Sequence, residues 1–130
     1  MAAFDTNVIV RVLVGDDPAQ TRKAERAFVA HARGDGVFVS LVVLAEVSWV
    51  LAAAYAWDRP TIHERISRLV RTKGVVIEEL ELVQRALDEY AVGKADLADF
   101  LILGKARESA SAELLTFDKK LAREGNVTLL

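Results

Sequence analysis

The sequence predicts an α/β fold: a three-layer α/β/α sandwich around a mostly parallel central sheet of four to five short strands. Two observations carry this prediction. Short apolar runs recur along the chain, and each is followed by a longer segment whose apolar residues are spaced three and four apart. Strands that alternate with helices pair in parallel, and right-handed crossovers place helices on both faces of the sheet. With 130 residues, the whole chain (1–130) is expected to form one domain.

The N-terminal segment shows the change from strand to helix clearly. Residues 1–4 are apolar without alternation, and from Thr6 onward the apolar residues have helical spacing. Asp5 therefore stands at the carboxyl end of a strand, where open parallel sheets bind ligands. Aspartate is also a good N-cap, because its side chain accepts hydrogen bonds from free helix N–H groups. Taken alone, Asp5 is compatible with either role.

The remaining elements follow from spacing and from boundary residues. Gly, Pro and Asp clusters separate the segments, Asp16 or Asp17 is placed to cap the second helix, and Ser40 is placed to cap the third. The predicted helices cover 19–33, 41–57, 61–72, 78–91 and 97–109, with one or two further turns at 119–123, and the predicted strands cover 37–39, 75–77, 113–116 and 127–129. The segment 41–57 is apolar almost all round, which is equally typical of a core helix and of a partner surface.

Composition narrows the classes of site. The chain has no cysteine, which excludes disulfides and thiolate metal centres and leads us to expect a cytoplasmic protein. No signal peptide is visible, and the longest nearly apolar run is shorter than a membrane span. The net charge of −2 argues against indiscriminate coating of nucleic acid.

Several acidic residues stand in places that need an explanation. Glu46 lies in the middle of the apolar segment 41–57, and a buried carboxylate must be neutralised, paired with an arginine or bound to a metal. Asp99 poses the same problem in 97–109, whereas Asp96, near the start of that helix, can be a simple cap. Asp118 follows the strand at 113–116, repeats the pattern of Asp5 and can also be a cap.

Four carboxylates gathered in one place would repel one another without a counter-charge. Mg²⁺ or Mn²⁺ would supply it, because these ions prefer oxygen ligands. Such a site suits phosphodiester hydrolysis, in which the metal activates water and offsets the charge at phosphorus. His31 and His63 lie in helical segments away from the acids, so a histidine-based zinc site is not expected.

The segments that carry these acids resemble the PIN domain family, specifically the VapC-type toxins of prokaryotic toxin–antitoxin pairs. The resemblance rests on FDTNV at 4–8, the glutamate at 46, ADLADFLI at 95–102 and LTFDKKL at 115–121, in that order and spacing. It implies a Mg²⁺- or Mn²⁺-dependent endoribonuclease that is usually a homodimer. It also implies inhibition by a small antitoxin that inserts a segment across the active-site groove.

The resemblance also implies roles for individual residues. Asp5, Glu46 and Asp99 match the central acids, Asp118 matches a fourth position that the family fills less uniformly, and Asp96 matches an acidic position found in part of the family. In the family, residues next to the acids orient water or the carboxylates, and the residues at these positions in this sequence are Thr6, Asn7 and Thr116.

Basic residues near the acids are candidates for contacts with RNA phosphates or with acidic groups of the antitoxin. Arg11, Lys119 and Lys120 are closest to the proposed site in sequence. The segment 58–73 has a local excess of three positive charges, which is typical of an RNA-facing surface or of a solvated helix face.

Two other functions remain open. The first is a phosphoryl-transfer domain with Asp5 as nucleophile, although Asn7 stands where haloacid-dehalogenase-like phosphatases carry a second aspartate. The second is a non-catalytic interaction domain whose acids bind a metal for stability.

Overall fold

The computed structural model describes residues 1–109 and 113–130. Helices and short strands alternate through these ranges, which confirms the predicted α/β class. In chain order the elements are β1 (Ala2–Ala3), α1 (Thr6–Val14), α2 (Pro18–Arg33), β2 (Val37–Val39), α3 (Leu41–Ala53), α4 (Arg59–Arg71), β3 (Val75–Ile77), α5 (Leu80–Val92), α6 (Leu97–Glu108), β4 (Leu114–Thr116), a single 3₁₀ turn (Leu121–Arg123) and β5 (Val127–Leu129).

The strands pair only in parallel in the described ranges. β2 lies between β1 and β3, and β4 pairs with β5, so the strands form a group of three and a group of two. The number of strands and their direction agree with the prediction, whereas one continuous sheet was expected. β1 contains two residues and therefore offers few backbone groups to a second neighbour.

The core surrounds α3, which packs against α1, α4 and α6. The side chains of Leu44, Val47 and Leu51 from α3 are completely buried, as is Phe100 from α6. Burial of each such side chain stabilises the fold by about 1.5–3 kcal/mol. This packing fixes α3 between α1, which Asp5 precedes, and α6, near whose start the sequence predicts further acids of the site.

The predicted N-caps of the second and third helices are confirmed, whereas the predicted end of the third helix is wrong. Asp17 Oδ1 accepts a hydrogen bond from the Gln20 N–H at 3.1 Å, and Ser40 Oγ accepts one from the Val43 N–H at 3.2 Å. The prediction that the third helix reaches residue 57 is wrong, because the helix ends at Ala53 and Ala56 has a left-handed φ of 54°. No glycine or proline marks this end in the sequence.

Among the described residues, no helix combines the length and the apolar content that crossing a membrane requires.

Candidate functional site

Asp5 directly follows the buried Phe4 and caps α1. Its Oδ1 atom accepts a hydrogen bond from the Val8 N–H at 3.1 Å. The side chain is exposed, and Oδ2 accepts no hydrogen bond from the described residues. The capping role predicted for Asp5 is therefore confirmed, and the carboxylate keeps one open oxygen.

Glu46 is linked to this position through Thr6. The Thr6 hydroxyl donates a hydrogen bond to Glu46 Oε1 at 3.1 Å, which connects the first residue of α1 to the middle of α3. The expectation that Glu46 is buried is wrong, because its side chain is exposed between Val42 and Trp49 on the same face of α3. The surplus apolar residues of this helix lie at the surface, so the cost of burying a charge does not apply to Glu46.

Asp99 lies in the first turn of α6 and is half-buried. Its Oδ2 atom accepts a hydrogen bond from the Asp96 N–H at 3.2 Å. Burial raises the pKa of Asp99 above its ordinary value, and the negative charges of Asp96 and Asp118 raise it further, although the hydrogen bond from Asp96 opposes them. Three of the predicted acids, Asp96, Asp99 and Asp118, therefore share one electrostatic neighbourhood.

Asp118 follows β4 and caps the 3₁₀ turn. Its Oδ1 atom accepts hydrogen bonds from the Lys120 N–H at 2.7 Å and the Leu121 N–H at 3.2 Å. Its own N–H donates to Thr116 Oγ1 at 2.9 Å, so Thr116 fixes the backbone at this acid. The exposed side chain thus repeats the arrangement of Asp5, with one oxygen used as a cap.

The four acids share a pattern of hydrogen bonding. In the described ranges, each has one oxygen that accepts a hydrogen bond from the protein and a second oxygen that accepts none, and none has a basic group within 4.0 Å. A carboxylate oriented through one oxygen and open at the other is a suitable ligand for a hard cation. The donor set therefore fits Mg²⁺ or Mn²⁺.

The positions of the side chains do not complete a coordination shell. In residues 1–109 and 113–130, no three Asp, Glu or His side chains lie close enough together to hold one ion. Joint ligation of a single ion by Asp5, Glu46, Asp99, Asp118 and Asp96 therefore remains a prediction, and it requires the side chains to turn toward one another.

Comparison with known proteins supplies the family. A family model described as PIN domain matches residues 2–126. The chain belongs to the PIN domain family. It is also 23% identical over 130 residues to a VapC ribonuclease from Aquifex aeolicus (strain VF5), in an alignment that covers 99% of this chain and 96% of that protein. These findings confirm the resemblance inferred from the motifs. No solved structure matches the chain significantly.

Arg11 and Asn7 lie near Asp5 in this PIN domain, in a groove of about 370 Å³ that Gln20 and Lys23 also line. The Arg11 guanidinium is engaged within the fold: Nε donates to Gln20 Oε1 at 2.7 Å, and Nη1 donates to Asp16 Oδ1 and to the Tyr55 hydroxyl, both at 3.1 Å. Contact between Arg11 and RNA or an antitoxin remains a prediction. Its observed contacts connect α1 with the start of α2 and the end of α3.

Lys119 and Lys120, by contrast, are exposed beside Asp118. Neither forms an ion pair with any residue in the described part of the PIN domain. Both ammonium groups are available for a phosphate or an acidic partner.

The basic segment 58–73 contains arginines with contacts inside the protein. Arg59 Nη2 donates to the carbonyl oxygens of Tyr90 at 2.9 Å and Gly93 at 3.2 Å, and its guanidinium lies 4.1 Å from the centroid of the Tyr90 ring. Arg65 donates to the Leu13 carbonyl oxygen and lies over the Trp57 ring. A count of charges in the sequence does not reveal such carbonyl and ring partners.

Two aromatic residues border the acids, and neither was predicted from the sequence to belong to the site. Trp49 is 66% exposed and lines a cavity of about 180 Å³ together with Asp96 and Asp99. Phe117 is 80% exposed and directly precedes Asp118. The signal for Trp49 was its position three residues after Glu46, which places both on one face of a helix.

Proposed function

We propose that this PIN domain is a Mg²⁺- or Mn²⁺-dependent endoribonuclease and the toxin of a cytoplasmic toxin–antitoxin pair. One observation carries the proposal: four carboxylates without a basic partner in the described ranges each offer an open oxygen beside an oxygen held by the protein. The similarity to a protein named VapC ribonuclease supports the same class of reaction.

In this proposal Asp5, Glu46, Asp99 and Asp118 hold the cation, and Asp96 is an additional ligand. When bound, the cation lowers the pKa of a water molecule and offsets the charge that develops at phosphorus. The chain supplies the positioning: Thr6 holds Glu46 through its hydroxyl, Thr116 holds the backbone of Asp118, and Asn7 orients water near Asp5.

The remaining parts of the proposal concern partners. Lys119 and Lys120 are placed to contact RNA phosphates, because both are exposed next to an acid of the site. A small antitoxin covers the groove beside Asp5, where Lys23 offers an exposed positive charge. The toxin acts as a homodimer.

The substitution Asp5→Asn tests the catalytic assignment. Asparagine keeps an oxygen for the Val8 N–H, so we expect the fold to persist while Mg²⁺-dependent RNA cleavage is lost. Cleavage is measured on cellular RNA by mapping new 5′ ends with Mg²⁺ and with EDTA. Asp17→Asn is the matched control, since Asp17 caps α2 in the same way and is outside the proposed ligand set. Undiminished cleavage by the Asp5 variant would contradict the proposal.

The same open carboxylate oxygens support a second candidate, a non-catalytic metal-binding domain, because they suit a hard cation whether or not RNA is cut. The same experiment distinguishes the two. A domain that binds metal for stability alone would show a rise in thermal midpoint on addition of Mn²⁺, and the wild-type protein would cut no RNA.

A further inference from the structure

Exposed aromatic side chains are rare in this protein and are confined to the surroundings of the candidate acids. All nine aromatic residues lie in the described ranges. Seven are buried or partly buried, and only Trp49 and Phe117 are exposed. Aromatic rings carry large apolar surfaces that usually pack against other groups. Two unpacked rings beside the candidate acids are therefore available to a ligand with a flat apolar face.

Trp49 forms one wall of a cavity that contains two of the acids. The indole lines this cavity of about 180 Å³ with Asp96 and Asp99. Glu46 lies one helical turn before Trp49 on the same exposed face of α3. A ring that stacks on Trp49 would thus lie next to three candidate ligands of the cation.

Phe117 has a different set of neighbours. It lies between Thr116, which holds the backbone of Asp118, and Asp118 itself. Lys119 and Lys120 follow, exposed and without ion pairs in the described ranges. An aromatic ring beside two free ammonium groups matches the two parts of a nucleotide, the base and the phosphate.

A protein partner would be the other class of ligand for exposed rings. The centres of protein–protein interfaces are depleted in charged residues. Here Glu46 lies between Val42 and Trp49, and Asp118 directly follows Phe117, so carboxylates interrupt the apolar surface. This arrangement favours RNA, because its bases would contact the rings while its phosphates would contact Lys119, Lys120 and the cation proposed at the carboxylates.

We propose that Trp49 and Phe117 stack two unpaired nucleobases of the RNA whose phosphate is presented to the acids. This inference rests on the proposed function and deepens it by naming two side chains that bind the bases of the substrate. Stacking on a ring requires a base that is out of a duplex, so the substrate is single-stranded RNA or a loop. The two rings bind substrate without reading the base edges, so they tolerate different sequences.

The test measures the affinity for a labelled single-stranded RNA oligonucleotide by fluorescence anisotropy in EDTA, where no metal-dependent cleavage occurs. Stacking of one base on an aromatic ring accounts for about 5- to 150-fold in affinity, so we expect Trp49→Ala and Phe117→Ala each to weaken binding within that range. Trp49→Phe and Phe117→Tyr keep a ring and should remain close to wild type. Leu80→Ala, which removes a side chain that is 41% exposed at the start of α5, is the matched control.

Two further measurements separate stacking from a general loss of surface. A fully abasic oligonucleotide of the same length, which keeps the phosphates and has no bases, should bind to wild type and to both alanine variants with equal affinity. In a Trp57→Phe background Trp49 is the only tryptophan, and its fluorescence should be quenched when RNA binds. That quenching should persist at saturating RNA in Phe117→Ala.

The outcomes distinguish this inference from the proposed function. Unchanged RNA affinity in both alanine variants would overturn the inference, and if light scattering also showed a loss of dimer, the rings would be a protein contact instead. Ring-dependent binding of RNA that the wild-type protein does not cut with Mg²⁺ would support stacking and contradict the nuclease proposal. Failure of the wild-type protein to bind any single-stranded RNA would overturn both.

Discussion

Asp5 and Asp118 each use one carboxylate oxygen as a cap and keep the other one open. Each caps a helical segment with Oδ1, and in the described ranges Oδ2 accepts no hydrogen bond. A backbone hydrogen bond of this kind restricts the side chain to few orientations, which reduces the entropy lost when the second oxygen binds a ligand. Capping and ligand binding were alternatives at the level of sequence, and the geometry permits both at once.

Asp99 allows a prediction about charge at the residue scale. Because burial and two neighbouring acids raise its folded-state pKa, its ionised form destabilises the folded state above that pKa. We expect Asp99→Asn to raise the thermal midpoint at pH 7 in EDTA. The gain should vanish below the ordinary aspartate pKa of 3.8, where the carboxyl is protonated in both states.

Metal addition provides the second half of this measurement. If Asp99 is a ligand, Mn²⁺ should raise the midpoint of the wild-type protein more than that of the variant. Asp88→Asn, at an exposed aspartate of α5, is the control for the removal of one charge. A lower midpoint for the Asp99 variant than for wild type at pH 7 in EDTA would refute the stability argument.

At the scale of elements, the sequence predicted the bounds of the strands better than it predicted which side chains are exposed to solvent. The strands at 37–39, 75–77 and 127–129 were predicted with their observed bounds, because runs rich in β-branched residues begin there directly after a glycine or a polar residue. For α3 the apolar composition gave no preferred face, so Glu46 was wrongly expected to be buried. Which side of such a helix meets solvent depends on how α1, α4 and α6 pack around it.

Arg59 gives a prediction about how elements are joined. Its guanidinium connects the first residue of α4 to the carbonyl oxygens of Tyr90, Gly93 and Lys94 at the end of α5. We expect Arg59→Ala to lower the free energy of unfolding by about 2 kcal/mol, since two partly buried carbonyl oxygens and the exposed Lys94 carbonyl oxygen lose their donor and the Tyr90 ring loses its cation. Urea unfolding measures this change.

Arg71→Ala is the matched control, because Arg71 is an exposed arginine on the same helix. Its unfolding free energy should remain close to wild type, and RNA affinity should be similar for both variants. A fall in RNA affinity for Arg59→Ala with unchanged stability would instead assign this residue to an RNA-facing surface.

At the scale of the whole molecule, the sequence predicted four acids for the candidate site but not how far apart they lie. The four acids come from four separate parts of the chain. The hydrogen bond from Thr6 to Glu46 connects the helix that Asp5 caps to Glu46, and the charge of Asp118 raises the pKa of Asp99. Distances between such groups depend on rotamers and on the docking of α3 against α1 and α6. These are properties of packing, for which spacing along a sequence contains no information.

The pair of free lysines beside Asp118 has a consequence for how this protein would respond to ionic strength. The chain has a net charge of −2, and if Lys119 and Lys120 are its two phosphate contacts, it releases few counterions on binding RNA. The logarithm of its RNA affinity should then fall with the logarithm of salt concentration with a slope of about −1.4, as expected for two contacts to a single strand. Anisotropy titrations at a series of KCl concentrations measure this slope, and a value steeper than about −4 would require a wider basic surface. Stacking on aromatic rings involves no counterion, so this protein should stay bound to RNA at salt concentrations that release strongly basic RNA-binding proteins.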